Sequence, residues 1–112
     1  MNVVPNYNVQ IWVGLREGYT DILHTVDEVR EICQEYVKDG DCVTVTPTEF
    51  IYTGGNEPGV IIGYIKYPRF VRTDIEIKNR AIELANIFLD KFKQNRITIT
   101  TPDSSIMIEN NI

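Results

Sequence analysis

Two helix-start signals constrain the fold of this chain more than any other feature of its sequence. Residues 25–28 and residues 73–76 both read Thr-x-x-Glu, and each motif stands in front of apolar residues at helical spacing. In such a capping box the threonine oxygen accepts a hydrogen bond from the backbone N–H of the glutamate, whose side chain accepts one from the threonine N–H in return. The motifs therefore predict two helices, one over residues 26–37 and one over residues 74–94. Residues 38–40 are expected to terminate the first helix, with Gly40 just past its end.

Alternating or continuous apolar residues before, between and after these helices predict the strands of a sheet. The predicted strands cover residues 7–15, 41–53, 60–67, 96–100 and, as a short last strand, 105–109. The third of them is apolar on both faces, which favours a central position in the sheet. Pro47 has no backbone N–H to donate, so the second strand is expected at an edge or to carry a bulge.

The resulting order, strand–helix–strand–strand–helix–strand, is typical of the split βαβ arrangement. Right-handed crossovers place both helices on one face of an antiparallel sheet with strand order 4-1-3-2. This α+β arrangement resembles the ferredoxin-like superfold over residues 7–101. We expect a single domain over residues 1–112, in which residues 102–112 form a C-terminal extension or a short extra strand.

Composition excludes several classes of function. The content of hydrophobic residues (43%) and of charged residues (24%) is ordinary for a globular domain. Cys33 and Cys42 form no Cys-x-x-Cys pair and the chain has one histidine, so the sequence predicts no metal site and no cofactor. The apolar runs are far too short to cross a membrane and the N-terminus lacks a secretory signal, which predicts a cytoplasmic protein.

The side of the sheet away from the helices, which we call the open face, is the predicted binding surface. Trp12 and Gln10 fall on it because the alternate residues of the first strand point toward the helices. The third strand adds either Ile62 and Tyr64 or the opposite phase, Ile61 and Ile65. An uncovered apolar face is a binding surface by default. The predicted binding residues are Trp12, Tyr64, Ile62 and Gln10.

Two short segments resemble a nucleic-acid-binding family. Residues 11–15, Ile-Trp-Val-Gly-Leu, and residues 63–67, Gly-Tyr-Ile-Lys-Tyr, resemble the first-strand and third-strand motifs of RNA-recognition-motif domains. The resemblance implies that Trp12 and Tyr64 stack on bases of RNA or single-stranded DNA. The net charge of −5 opposes phosphate binding, so nucleic acid is an alternative and not the expected partner.

Enzymatic chemistry has a weaker basis in the sequence. His24 lies near Asp21 and Asp27, and a histidine with a carboxylate is the minimum for acid–base catalysis. A residue just before a helix cap more often packs over the helix start, so no catalytic residue is assigned. A second alternative is a small-molecule-binding or enzymatic dimeric α+β barrel. Its cavity would be lined by Trp12, Tyr36, Tyr52, Tyr64 and Tyr67.

The sequence therefore favours a non-catalytic interaction module. We expect it to bind a protein partner or its own copy through the open face, as a homodimer or a larger assembly. Either a second copy or residues 105–112 would cover that face. A lone ferredoxin-like unit with a long second strand and hairpin is similar to small uncharacterised proteins of bacteria and their phages, which implies an accessory role.

Overall fold

The computed structural model describes residues 1, 3, 5–37, 41–69 and 72–110 of the chain. The elements follow one another in the predicted order. They are β1 (Val9–Gly14), α1 (Val26–Tyr36), β2 (Val43–Tyr52), β3 (Gly55–Tyr64), α2 (Asp74–Lys91), β4 (Arg96–Thr100) and β5 (Ser105–Glu109). The predicted end of the first helix at residues 38–40 lies outside the described residues.

The five strands form one antiparallel sheet in the order β2-β3-β1-β4-β5. The predicted order 4-1-3-2 is confirmed, with β1 and β3 in the centre, and the strand that contains Pro47 is an edge strand. β5 pairs with β4 and extends the sheet on the other side. Ser105–Glu109 is therefore an edge strand of the sheet and does not cover the open face.

The core lies between the helices and one face of the sheet. Val9, Ile11 and Val13 of β1 are fully buried, and both helices contribute to the same cluster of buried side chains. The helix residues in that cluster include Val29, Cys33, Tyr36, Ile77, Ala81, Leu84, Ala85 and Phe88. Both helices therefore pack on one side of the sheet, and the predicted ferredoxin-like α+β class is confirmed.

Ile62 and Tyr64 do not lie on the open face, contrary to the prediction. Ile11 stands opposite Ile62, and Val9 stands opposite Tyr64. Directly opposed residues of an antiparallel pair point to the same side, so both side chains turn toward the helices with β1's buried residues. Their exposed fractions are 0% and 1%. The alternate residues of β3, such as Ile61 opposite Trp12, face the open side of the sheet.

The two predicted capping motifs form differently. At α2 the box is complete: the Thr73 hydroxyl accepts from the Glu76 N–H, and the Glu76 side chain accepts from the Thr73 N–H. At α1 only the first half forms, with the Thr25 hydroxyl accepting from the Glu28 N–H. The Glu28 carboxylate instead contacts His24, at 2.6 Å from its Nδ1.

Two element boundaries differ from the prediction for local reasons. β3 begins at Gly55, five residues earlier than expected, because the hairpin turn is confined to residues around Gly54, whose φ is +87°. Only glycine adopts such a conformation without steric cost. α2 ends at Lys91, and the chain leaves it through Lys93 with a φ of +49°. Gln94, which was predicted to end this helix, therefore lies outside it.

A buried carboxylate joins the start of β2 to the end of β3 and to α2. Asp41 precedes β2, and its side chain is fully buried. It accepts hydrogen bonds from the Tyr64 hydroxyl and from Arg80 of α2, and Arg72 Nε lies 2.8 Å from its Oδ1. Burial, with the hydrogen bond to Asp41, raises the pKa of Tyr64 to about 12, so this phenol keeps its proton and donates it. Arg80 also lies over the ring of Tyr36, at 4.3 Å from its centroid.

Removing this charge is expected to destabilise the fold. Asp41→Asn leaves two guanidinium groups without their anion in a partly buried site, which costs about 3 kcal/mol of unfolding free energy. Asp27→Asn is the control, because Asp27 pairs with Arg30 on the exposed side of α1 and its loss costs less than about 1 kcal/mol. Urea denaturation at neutral pH measures both. Equal stability of the two variants would contradict a structural role for Asp41.

Candidate ligand-binding site

A polar cavity of about 270 Å³ lies at one end of the sheet. Three segments surround it: the loop after β1, the tip of the β2–β3 hairpin and the connection from α2 to β4. We call it the polar cavity. Its lining residues are Arg16, Gly18, Tyr19, Tyr52, Glu57, Gln94, Asn95 and Arg96.

The sheet topology brings these segments together. β1 ends at Gly14. This residue lies opposite Gly59, where the pairing of β3 with β1 begins. β4 runs antiparallel to β1 on its other side, so its first residue, Arg96, lies at the same end. The hairpin extends beyond β1 because β2 and β3 pair along their whole length, as far as Tyr52 and Gly55. The cavity occupies the corner between this hairpin and the end of β1.

Gln94 fixes the floor of the polar cavity. It is 7% exposed, and its Nε2–H donates to the backbone carbonyl of Arg16 at 2.6 Å. Its Oε1 occupies the space over Gly14, where an added Cβ would lie only 2.9 Å away. Glycine at that position therefore makes room for an amide that ties the α2–β4 connection to the loop after β1.

The lining combines three kinds of recognition group. Tyr19 and Tyr52 are 93% and 55% exposed, so both rings are free to stack on a planar ligand. Arg16 and Arg96 supply guanidinium groups, which bind carboxylates and phosphates. Glu57 supplies a carboxylate for a cation or for hydroxyl groups. The arrangement suits a ligand with an aromatic ring and with charges of both signs.

A histidine held between two carboxylates lies next to the loop of the polar cavity. His24 Nε2 is 3.0 Å from Glu17 Oε1, and its Nδ1 is 2.6 Å from Glu28 Oε2. The ring stacks on Phe92 with centroids 4.1 Å apart and an interplanar angle of 3°. The hydrogen bond to His24 lowers the pKa of Glu28. We call Glu17, His24 and Glu28 the histidine clamp.

A larger groove between α1 and β2 offers less chemistry. Its volume is about 370 Å³, and valines and two thiols form much of its wall. Its acid, Asp41, already binds Arg80 and Arg72. Burial raises the pKa of Cys33 to about 11, so that thiol is a poor nucleophile. The polar cavity is therefore the better candidate site.

The predicted binding residues lie outside the polar cavity. Trp12 and Gln10 occupy the open face as expected, and the Trp12 Nε1–H donates to Thr100 Oγ1 at 3.0 Å. Tyr64 points to the opposite side of the sheet from Trp12, so the two rings cannot form the stacking surface that the RNA-recognition-motif resemblance implied. The open face nevertheless borders the cavity. Gly14 lies on the same face of β1 as Trp12, and Gln94 and Glu57 of the cavity lie next to Gly14.

Sequence reasoning missed the cavity because its residues come from loops and from the ends of separate strands. Tyr19 and Glu57 lie in segments whose composition predicts only loops, and Arg96 begins a strand. No motif spacing connects them. The one feature that they share in the sequence is that each lies close to the end of a predicted strand. The predicted order 4-1-3-2 would bring these strand ends to the same end of the sheet.

Two further findings concern metal ions and membranes. Within residues 1, 3, 5–37, 41–69 and 72–110, no group of three or more histidine, cysteine, aspartate or glutamate side chains is placed to hold a metal ion. Neither helix in this part of the chain has the length and apolarity needed to cross a bilayer.

Comparison with known proteins identifies the fold. No family model matches the chain, and no curated protein matches it. A phage SAM lyase in its apo state superposes with a TM-score of 0.75 at 16% identity, over 95% of this chain and 90% of that one. A phage SAM lyase in complex with S-methyl-5'-thioadenosine superposes with a TM-score of 0.69 at 14% identity, over 94% and 90%. The expected likeness to phage proteins thus holds at the level of the fold.

The prediction of a non-catalytic interaction module is contradicted by these matches, because both structural neighbours are enzymes. The physical basis of that prediction is also weakened, since Ile62 and Tyr64 belong to the core and leave the open face less apolar. Self-association stays a prediction, which the mass of the protein in solution would test.

The role of Gln94 leads to a prediction about the cavity floor. Gln94→Met keeps the size of the side chain but leaves the Arg16 carbonyl without its donor, which costs about 1–2 kcal/mol of unfolding free energy. Amide hydrogen exchange in the loop after β1 should also become faster. Gln34→Met on the exposed side of α1 is the control. If both variants match the wild type in stability and loop exchange, the hydrogen bond does not hold this loop.

Proposed function

We propose that this chain binds S-adenosylmethionine in the polar cavity and cleaves it to S-methyl-5'-thioadenosine. The observation that carries the proposal is the superposition of more than nine-tenths of the chain on a phage SAM lyase. At 14–16% identity that likeness concerns the fold alone. The transfer of activity therefore depends on whether the cavity has the chemistry that such a substrate requires.

The lining supports the proposal for the adenosine part of the substrate. A purine ring has two flat faces, and stacking on aromatic side chains contributes about 1–3 kcal/mol per base. Two aromatic rings are available for this stacking: Tyr19 in the loop after β1 and Tyr52 in the β2–β3 hairpin. Asn95 adds an amide that can donate and accept hydrogen bonds at a purine edge.

The charges of the lining support it for the remainder of the substrate. S-adenosylmethionine carries a sulfonium and an ammonium group, both positive, and one carboxylate. Glu57 can pair with a positive group, while Arg16 and Arg96 can pair with the carboxylate.

The reaction follows from comparing the substrate with the product. The bond between the sulfonium sulfur and the γ-carbon of the amino-acid chain breaks, and its electron pair stays on sulfur. The sulfur becomes a neutral thioether in S-methyl-5'-thioadenosine. The four-carbon fragment either loses a proton from the adjacent carbon or closes onto its own carboxylate oxygen, and neither route consumes water. Two isomeric products distinguish these routes.

An assay of the purified protein with S-adenosylmethionine tests the proposal. We expect S-methyl-5'-thioadenosine to form faster than in protein-free buffer, as measured by chromatography with mass detection. Glu57→Gln removes the anion and should lower kcat/KM about tenfold or more, since a charge-assisted hydrogen bond contributes about 1.5–3 kcal/mol. Glu49→Gln, an exposed glutamate of the same hairpin outside the cavity, should leave it unchanged.

Two results would overturn the proposed function. The first is a rate of S-methyl-5'-thioadenosine formation no higher than the protein-free background, together with no calorimetric binding of that compound. The second is turnover that Glu49→Gln and Glu57→Gln reduce equally, because the cavity would then not be where the substrate binds.

The proposed substrate also bears on the location of the protein. We infer a cytoplasmic location, where S-adenosylmethionine is made and used. Cys33 and Cys42 are both free thiols, and unpaired cysteines are usual in a reducing compartment.

A further inference from the structure

The histidine clamp has a protonation requirement that its geometry makes explicit. A neutral imidazole has one nitrogen that donates and one that accepts, whereas ionised carboxylates only accept. His24 places both nitrogens within hydrogen-bond distance of carboxylate oxygens, from Glu17 and from Glu28. Both contacts are hydrogen bonds only when the ring carries two protons. Loss of one proton turns one of them into a contact between two acceptors.

Among the described residues, the ring of His24 contacts two carboxylates and one aromatic ring. The titratable groups that face it are Glu17 from the loop after β1 and Glu28 from α1. From the end of α2 it meets the uncharged ring of Phe92. The His24 and Glu17 side chains are each 14% exposed, so water replaces a lost partner poorly. Charge-assisted hydrogen bonds in such sites are about twice as strong as neutral ones.

The clamp acts on a wall of the polar cavity. Glu17 lies in the chain between Arg16 and Gly18, which both line the cavity, and Tyr19 follows. The backbone of this loop closes on itself, with the Glu17 N–H donating to the Ile22 carbonyl at 2.9 Å. The Glu17 side chain leaves the loop and reaches His24, next to α1. The loop is thereby attached to the helix layer through the clamp.

We propose that doubly protonated His24 is a positioning residue for residues 16–19, so that ligand binding in the polar cavity weakens as the pH rises and His24 loses a proton. His24 does not line the cavity, and Phe92 stacks on one face of its ring. Its effect on a ligand must therefore pass through Glu17 and the loop. The identity of the ligand rests on the proposed function, whereas the positioning of the loop does not.

The first experiment needs no ligand. Because the chain has one histidine, its ring nitrogens give an unambiguous nuclear magnetic resonance titration, and Gly18 reports on the loop. We expect the Gly18 amide signal to shift in the same pH step in which the ring loses its proton. In Glu17→Gln this shift should shrink, because an amide accepts from the protonated ring and donates to the neutral ring. Glu31→Gln, an exposed α1 carboxylate, should behave as wild type.

The second experiment measures calorimetric binding of S-methyl-5'-thioadenosine, which has no group that titrates near neutral pH. We expect the dissociation constant of the wild type to be about tenfold higher at a pH where the nuclear magnetic resonance titration shows one proton on the ring than at a pH where it shows two, which corresponds to the loss of one charge-assisted hydrogen bond. Glu17→Gln should show little dependence on pH. Glu31→Gln should keep the wild-type dependence.

The outcomes separate the two proposals. A Gly18 signal that ignores the titration of His24 overturns the clamp, whatever binds. Co-titration of Gly18 with His24, together with no binding of S-methyl-5'-thioadenosine at any pH and no turnover above the protein-free background, upholds the positioning of the loop and overturns the proposed function. Binding of equal strength across the pH range in the wild type overturns the link from His24 to the cavity.

Discussion

The antiparallel pairing of β1 with β3 is the constraint on which the rest of the structure depends. Its register places Val9 opposite Tyr64 and Ile11 opposite Ile62, so one side of both central strands is buried under the helices. A shift by one residue would turn all these side chains to the other face. The same register ends with Gly14 opposite Gly59, and that end of the pair is where the polar cavity forms.

The sequence predicted what local signals determine. Both helix starts, the strand order and the edge position of the strand with Pro47 follow from capping motifs, alternation and the missing proline N–H. Register was beyond reach because β3 is apolar in both phases, so that Ile62 and Ile61 were equally suitable for the core. Glu28 shows a second limit of the sequence prediction. Its capping motif predicts that its carboxylate accepts from the Thr25 N–H, but in the structure that carboxylate contacts His24, the residue before Thr25.

The site was beyond reach for a different reason. Tyr19, Glu57 and Arg96 come from three separate parts of the chain, and only the assembled sheet brings them to one cavity. A surface inferred from strand alternation alone favoured Trp12 and hence a docking role. The enzymatic function proposed for this chain rests on the likeness of its fold to two enzyme structures. It also rests on the polar cavity, which offers aromatic rings and charges of both signs.

The polar cavity at the end of β1 is the proposed binding site of an adenosyl ligand. Chemical-shift mapping of backbone amides during titration with S-methyl-5'-thioadenosine tests it most directly. We expect the largest changes in residues 16–19, at Glu57 and in residues 94–96. Changes centred on the groove between α1 and β2, or spread along the open face around Trp12, would contradict it.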